Sequence, residues 1–299
     1  MGTHHDHRHS PSEYNSAFLI AIIANGLFVL FQIFFAFSAN STSLLADAIH
    51  NFGDVMGLLM AWVGQHLLKR LPTERSTYGM KKTSILAALS NAILLVFSCG
   101  IIFTESMYKL FSPSMVSAGS VMVVAGLGVL VNGATAALFI RGSNDLNIHG
   151  AFLHLISDAL VSLGVVLSAA LLYWTGWLWI DPFVGILIAM IILKGTWSLL
   201  TDSIRLMMDG VPRGIVVTKV RFLLNNIQGV KGIHDLHIWA LSTQENALSV
   251  HLWMPNNPLT DTARKALEQQ LRLEHNIHHV TIQVEREQGL CQDACTPCL

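Results

Sequence analysis

The sequence predicts an α-helical membrane protein, a bundle of six transmembrane helices followed by a small C-terminal α+β domain. Three observations carry that prediction. The 299 residues are 52% hydrophobic and only 12% charged, and the mean hydropathy of +0.51 lies well above that of a soluble domain. The apolar residues gather into six runs, at about residues 16–38, 44–66, 84–106, 115–140, 150–174 and 180–201. From about residue 209 the charges return and the runs shorten.

Each of the six runs reaches the roughly 20 residues that a helix needs to cross about 30 Å of hydrocarbon. Lipid offers no partner to an unpaired peptide group and none of the runs alternates like a barrel strand, so helices are the expected form. The domains are expected at 1–15, a His-rich cytoplasmic tail; 16–208, the membrane bundle; and 209–299, a soluble domain ending in a Cys-containing tail. In that last domain GIVVTKVRFLLNNIQ has helical periodicity, IHDLHIWAL and NALSVHLWM alternate as strands, a helix capped by Thr260 or Asp261 runs to about His275, and HVTIQVE is the last strand. The order αββαβ predicts a ferredoxin-like α+β sandwich with its helices on one face of the sheet.

Lys and Arg in short loops set the orientation. Lys69, Arg70, Arg75, Lys81 and Lys82 follow the second run and Arg141 the fourth, against Lys109 alone on the other side. Both termini are therefore expected in the cytoplasm. The first segment, MGTHHDHRHSPSEYN, is too polar for a signal peptide, so the first span is expected to be retained. No nucleic-acid partner is expected.

The second run, LLADAIHNFGDVMGLLMAW, carries His50 and Asp54 four residues apart, on one helix face. The fifth, GAFLHLISDALVSLG, repeats the spacing with His154 and Asp158. An aspartate at mid-membrane costs roughly 2.5–3.5 kcal/mol, and a divalent cation held by two carboxylates and two imidazoles offsets that cost. A mixed nitrogen and oxygen tetrahedron suits Zn²⁺, with Co²⁺ and Cd²⁺ behind it. Asp47, three residues before His50, is placed to face the same cavity behind the ligands or to act as a helix cap. Asn25, Asn91 and Asn132 are expected to bridge helices, Asp181 to cap one, and Cys99 to pack as a small apolar residue.

In the soluble domain, alternation turns His251 and Glu285 outward onto the uncovered face of the sheet. It also turns His237 outward and leaves His234, at the start of its strand, to the turn before it. Cys295 and Cys298 form C-x-x-C, with Cys291 four residues before, a spacing that clamps a soft metal. The loop TERSTYGMKK reads equally as a binder of anionic lipid and as a charged partner of the C-terminal domain.

Together LLADAIHNFGDV, NDLNIHGAFLHLISDALVSLGVV, GWLWIDPFVGILIA and GIHDLHIWAL resemble the cation diffusion facilitator family, in its bacterial branch of zinc, cadmium and cobalt exporters related to the animal zinc transporters. The resemblance implies a homodimer in the bacterial inner membrane that exchanges a cytoplasmic divalent cation for protons. It implies a transport site of His50, Asp54, His154 and Asp158. It favours His234, where spacing alone favours His237, as the companion of His251 and Glu285 in a cytoplasmic metal site. It also implies an accessory site in which His278 joins Cys295 and Cys298. The long His-rich loop of the zinc-transporter members is reduced here to RGSNDLNIH, which leaves HHDHRH at the N-terminus as the candidate metal collector, a tract that reads as well as a solvated end.

Two other classes of protein use similar residues. An enzyme is not expected: H-E-x-x-H and G-x-x-x-x-G-K-[ST] are both absent, and two His/Asp pairs closing a tetrahedron leave no open catalytic position. A membrane-bound metal sensor without transport is the alternative reading.

Overall fold

The computed structural model describes residues 11–68, 71–139, 146–256 and 259–287, and within these the side chains of 22–57, 59, 71–137, 155–256 and 259–287. Six long helices come first: α1 (Pro11–Ser38), α2 (Thr42–Leu68), α3 (Thr83–Phe111), α4 (Ala118–Phe139), α5 (Leu146–Thr175) and α6 (Ile180–Met207). Among the described residues four helices are long and apolar enough to cross a membrane, over Thr83–Phe111, Ala118–Ala137, Leu155–Thr175 and Ile180–Met207. The C-terminal part follows as α7 (Val217–Asn225), β1 (Gly232–Ala240), β2 (Asn246–Trp253), α8 (Asp261–His275) and β3 (Ile277–Glu285).

The chain divides into two compact units, Met1–Met60 with Asn91–Trp197, and Ala61–Ser90 with Ser198–Leu299. In the first, the buried contacts are made largely by small side chains: Ala36, Ala39, Ala46, Cys99, Ala125, Ala169 and Ala189 pack with Leu44, Ile102, Val165 and Ile188. Small residues let helices approach closely where lipid supplies no hydrophobic drive between them. The large apolar residues face outward instead, Phe34, Phe97, Leu130 and Leu167 among them, as lipid-facing surfaces require.

Asp181 is buried in the first turn of α6 and caps a neighbouring helix rather than its own. It accepts hydrogen bonds from the Thr42 backbone N–H (2.7 Å) and from the hydroxyls of Ser41 (2.5 Å), Thr42 (3.0 Å) and Ser43 (2.6 Å), the donors that begin α2. A carboxylate there satisfies an orphan N–H and meets the positive end of the helix dipole. The approach depends on Gly185, where a Cβ would lie 3.1 Å from the Thr42 carbonyl carbon.

In the second unit the strand order is β1-β2-β3, with β1 antiparallel and β3 parallel to β2. Val220 and Leu224 of α7 and Leu267 and Leu271 of α8 pack with Leu248, Val250 and Leu252 of β2. Thr260 caps α8, its hydroxyl accepting from Ala263 N–H at 3.3 Å, and Asn276 ends the helix in the left-handed region at φ 55°. The TERSTYGMKK loop pairs by charge within this unit. Lys81 forms an ion pair with Glu245, Lys82 Nζ lies 2.7 Å from Asp209 Oδ1, and Thr243 N–H donates to Ser84 Oγ at 3.1 Å.

Candidate metal sites

Helices α2 and α5 bring three of the four expected transport ligands together. Candidate ligand atoms of His50, Asp54 and Asp158 lie within 4.8 Å of one another. His50 Nε2 is 3.1 Å from Asp158 Oδ1 and His50 Nδ1 is 3.9 Å from Asp54 Oδ2. Two donors on a tetrahedral ion with bonds near 2 Å stand about 3.3 Å apart, so the His50–Asp158 separation already matches one edge of such a site. His154 is on α5 and its side chain lies outside the described residues.

The pairing is antiparallel: His50 meets Asp158, while one turn back along α2 Asp47 meets Ser162, one turn forward along α5. The equal offset of 104 residues between the two His/Asp pairs is therefore a correspondence of sequence, not of level. Asp47 is fully buried and accepts from Gln32 Nε2 (2.6 Å) and Ser162 Oγ (2.9 Å). Gln32 Oε1 in turn accepts from Asn51 Nδ2 (3.1 Å), and Asn132 Nδ2 reaches Asn51 Oδ1 at 3.5 Å. Four helices, α1, α2, α4 and α5, are thus joined beside the cluster. Gln32, Asn51 and Ser162 were missed from sequence, because a polar residue in an apolar run does not reveal its partner.

The second cluster is His234, His251 and Glu285, whose candidate ligand atoms also lie within 4.8 Å of one another. His234 Nε2 is 3.1 Å from Glu285 Oε2, and His251 Nδ1 is 3.0 Å from Glu285 Oε1. The strands place them: His234 is the cross-strand partner of His251, and Glu285 pairs with Trp253, two residues along β2 from His251. Two imidazoles and a carboxylate are a donor set that fits Zn²⁺.

His237 stays outside this cluster for a physical reason. Between His234 and His237 the register slips by one residue, so three steps along β1 match two along β2, from His251 to Ser249. Asp235, at φ 52°, sits in this bulge. The extra residue lets His234 and His237 share the open face, which strict alternation forbids for residues three apart. His237 Nε2 then pairs with Asp235 Oδ1 at 2.8 Å. That hydrogen bond holds the Asp235 carboxyl below its usual range against partial burial, with the charges of His237, His251 and His234 adding to it.

Of the accessory residues, His278 is exposed near the start of β3, while Cys295, Cys298 and the N-terminal histidines lie outside the described residues. Cys99 is buried among small apolar neighbours, as expected.

Apolar helices long enough to cross a membrane, with a partly buried His/carboxylate cluster between α2 and α5, describe a membrane protein equipped to hold a cation. Residues 18–208 match the cation efflux transmembrane domain and residues 212–287 the cytoplasmic domain of cation efflux proteins. The chain belongs to the cation efflux family, that of the cation diffusion facilitators, whose members are transporters rather than enzymes. It is 32% identical to a cadmium, cobalt and zinc/H(+)-K(+) antiporter of Bacillus velezensis, over 94% of this chain and 91% of the relative. It is 34% identical to the metal cation efflux system protein CzcD of Cupriavidus metallidurans, over 95% and 90%, and 32% identical to the zinc transporter ZitB of Escherichia coli, over 94% and 92%. The protein is an integral membrane protein of metal cation efflux, and the match to the family's dimer-forming cytoplasmic domain supports a homodimer.

Proposed function

We propose that the protein is a proton-coupled antiporter that exports Zn²⁺ from the cytoplasm, with Co²⁺ and Cd²⁺ as further cargo. The observation that carries this reading is the convergence of His50, Asp54 and Asp158 from two bundle helices. Carrying the antiparallel pairing one turn further brings Asp54 to the level of His154, which we take as the fourth ligand. The reading includes six spans in the bacterial inner membrane, cytoplasmic termini as the Lys and Arg distribution favours, and a ferredoxin-like cytoplasmic domain whose His234, His251 and Glu285 bind metal.

The coupling follows from charge. Histidine titrates near pH 6.5 when unperturbed, within the physiological range, so protons and cation compete for His50 and His154. A cytoplasmic cation displaces the protons, movement of the helices exposes it outside, and reprotonation releases it.

The test is Zn²⁺ uptake into proteoliposomes carrying a pH gradient. The parent is expected to accumulate Zn²⁺ and Asp54→Ala to accumulate none while remaining folded. Uptake retained in Asp54→Ala removes the transport site. Tight binding by the parent without accumulation would instead favour a membrane-bound metal sensor.

A further inference from the structure

The His251 ring stands between two carboxylates. Its Nδ1 faces Glu285 Oε1 at 3.0 Å, on the side shared with His234, and its Nε2 faces Asp235 Oδ2 at 3.4 Å. Asp235 is itself held, because its other oxygen takes the 2.8 Å contact from His237 Nε2. The four groups form a chain, His237 to Asp235 to His251 to Glu285, and the bulge makes it: at φ 52° Asp235 turns its side chain onto the same face as the histidines on either side of it. Aspartate is among the few residues that adopt the left-handed region at low cost.

We propose that Asp235 is a positioning residue, which orients the His251 ring so that Nδ1 is presented toward His234 and Glu285, with His237 anchoring Asp235. The inference rests on the metal-binding reading of that cluster. A metal-binding imidazole uses one nitrogen for the ion and its other N–H for a fixed acceptor, which sets both tautomer and ring angle, and removing such an acceptor commonly lowers metal affinity about 10- to 100-fold. Asp235 is the carboxylate placed to accept from Nε2–H.

The test uses the full-length detergent-solubilised protein in an Asp158→Ala background, so that the bundle cluster does not contribute, and titrates Co²⁺ by its d–d absorption. Four variants are compared in that background: His251→Ala, Asp235→Gly, Asp235→Asn and His237→Ala. Glycine and asparagine both accept the left-handed backbone, so the bulge is kept while the carboxylate is removed or neutralised. We expect a loss of about 10- to 100-fold for Asp235→Gly with a displaced absorption band, a smaller loss for Asp235→Asn, which keeps an acceptor, and a smaller loss again for His237→Ala. Metal-free melting temperatures are expected to match the background protein. Parent-like affinity and spectrum in Asp235→Gly, beside a clear loss in His251→Ala, overturn the positioning role alone. Unchanged affinity in His251→Ala removes the cluster itself, and the inference with it.

Discussion

In the helical unit, His50, Asp54 and Asp158 are carried on two helices whose alignment depends on side-chain hydrogen bonds such as Asp47 with Ser162. In the sheet unit, His234, His251 and Glu285 are carried on three adjacent strands whose spacing the backbone ladder sets at about 4.8 Å. The ligand types are nearly the same, and what differs is the freedom of the supports. Helices that meet through side chains can shift past one another as rigid bodies, so a site between them can be made and unmade during a cycle. Strands in a hydrogen-bonded sheet hold their residues at constant separation, which suits a site that keeps its ion. On the proposed reading, movement of cargo belongs to the first cluster and sensing or dimer geometry to the second.

The sharpest way to break this division is to remove one carboxylate from each cluster. Asp158→Ala is expected to bring Zn²⁺ uptake into proteoliposomes below detection, because on the proposed reading the carboxylate supplies both a ligand and the compensating charge. Glu285→Ala is expected to weaken metal binding while leaving substantial uptake. Initial rates measured at equal protein density decide it, and complete loss of uptake in a folded Glu285→Ala dimer would merge the two roles.

A smaller effect is expected from changing ligand type within the bundle. His50→Asp replaces a nitrogen by a harder oxygen donor, adds negative charge and shortens the side chain, so Zn²⁺ should lose part of its advantage over Cd²⁺ and Mn²⁺. Competitive uptake of the three ions measures the ratio, and a ratio equal to the parent's means that the cation is selected elsewhere.

The smallest effect concerns the support of the sheet. Glu245, in the β1–β2 connection, pairs with Lys81 at a partly exposed position, where such pairs contribute about 0–1 kcal/mol. Glu245→Gln should therefore change the stability of the protein by less than about 1 kcal/mol and leave Co²⁺ affinity unchanged, as chemical denaturation and metal titration would report. A large loss of affinity would show that the hairpin, and not the ladder alone, holds the sheet cluster in place.

The helical and strand elements were legible because they rest on local pattern. The apolar runs, the alternation in NALSVHLWM and the Thr260 cap each depend on neighbours within a few residues. His50 with Asp54 was legible for the same reason, since an i, i+4 spacing shares a helix face. His251 and Glu285 followed from alternation. His234 did not: spacing pointed to His237, and the resemblance to a family pointed to His234.

By itself the sequence determined that this chain is a membrane protein with a small α+β domain and that paired His/Asp residues lie in two apolar runs, because hydropathy and periodicity are properties of consecutive residues. Tertiary structure alone decided that His50 pairs with Asp158, that Asp47 is held by Gln32 and Ser162, that Asp181 caps α2 rather than α6, and that a bulge at Asp235 puts His234 beside His251. Each of these depends on which distant segment a polar group meets. A buried carboxylate or amide must find a partner, but nothing in its own stretch of chain says whether that partner is four residues away or more than a hundred.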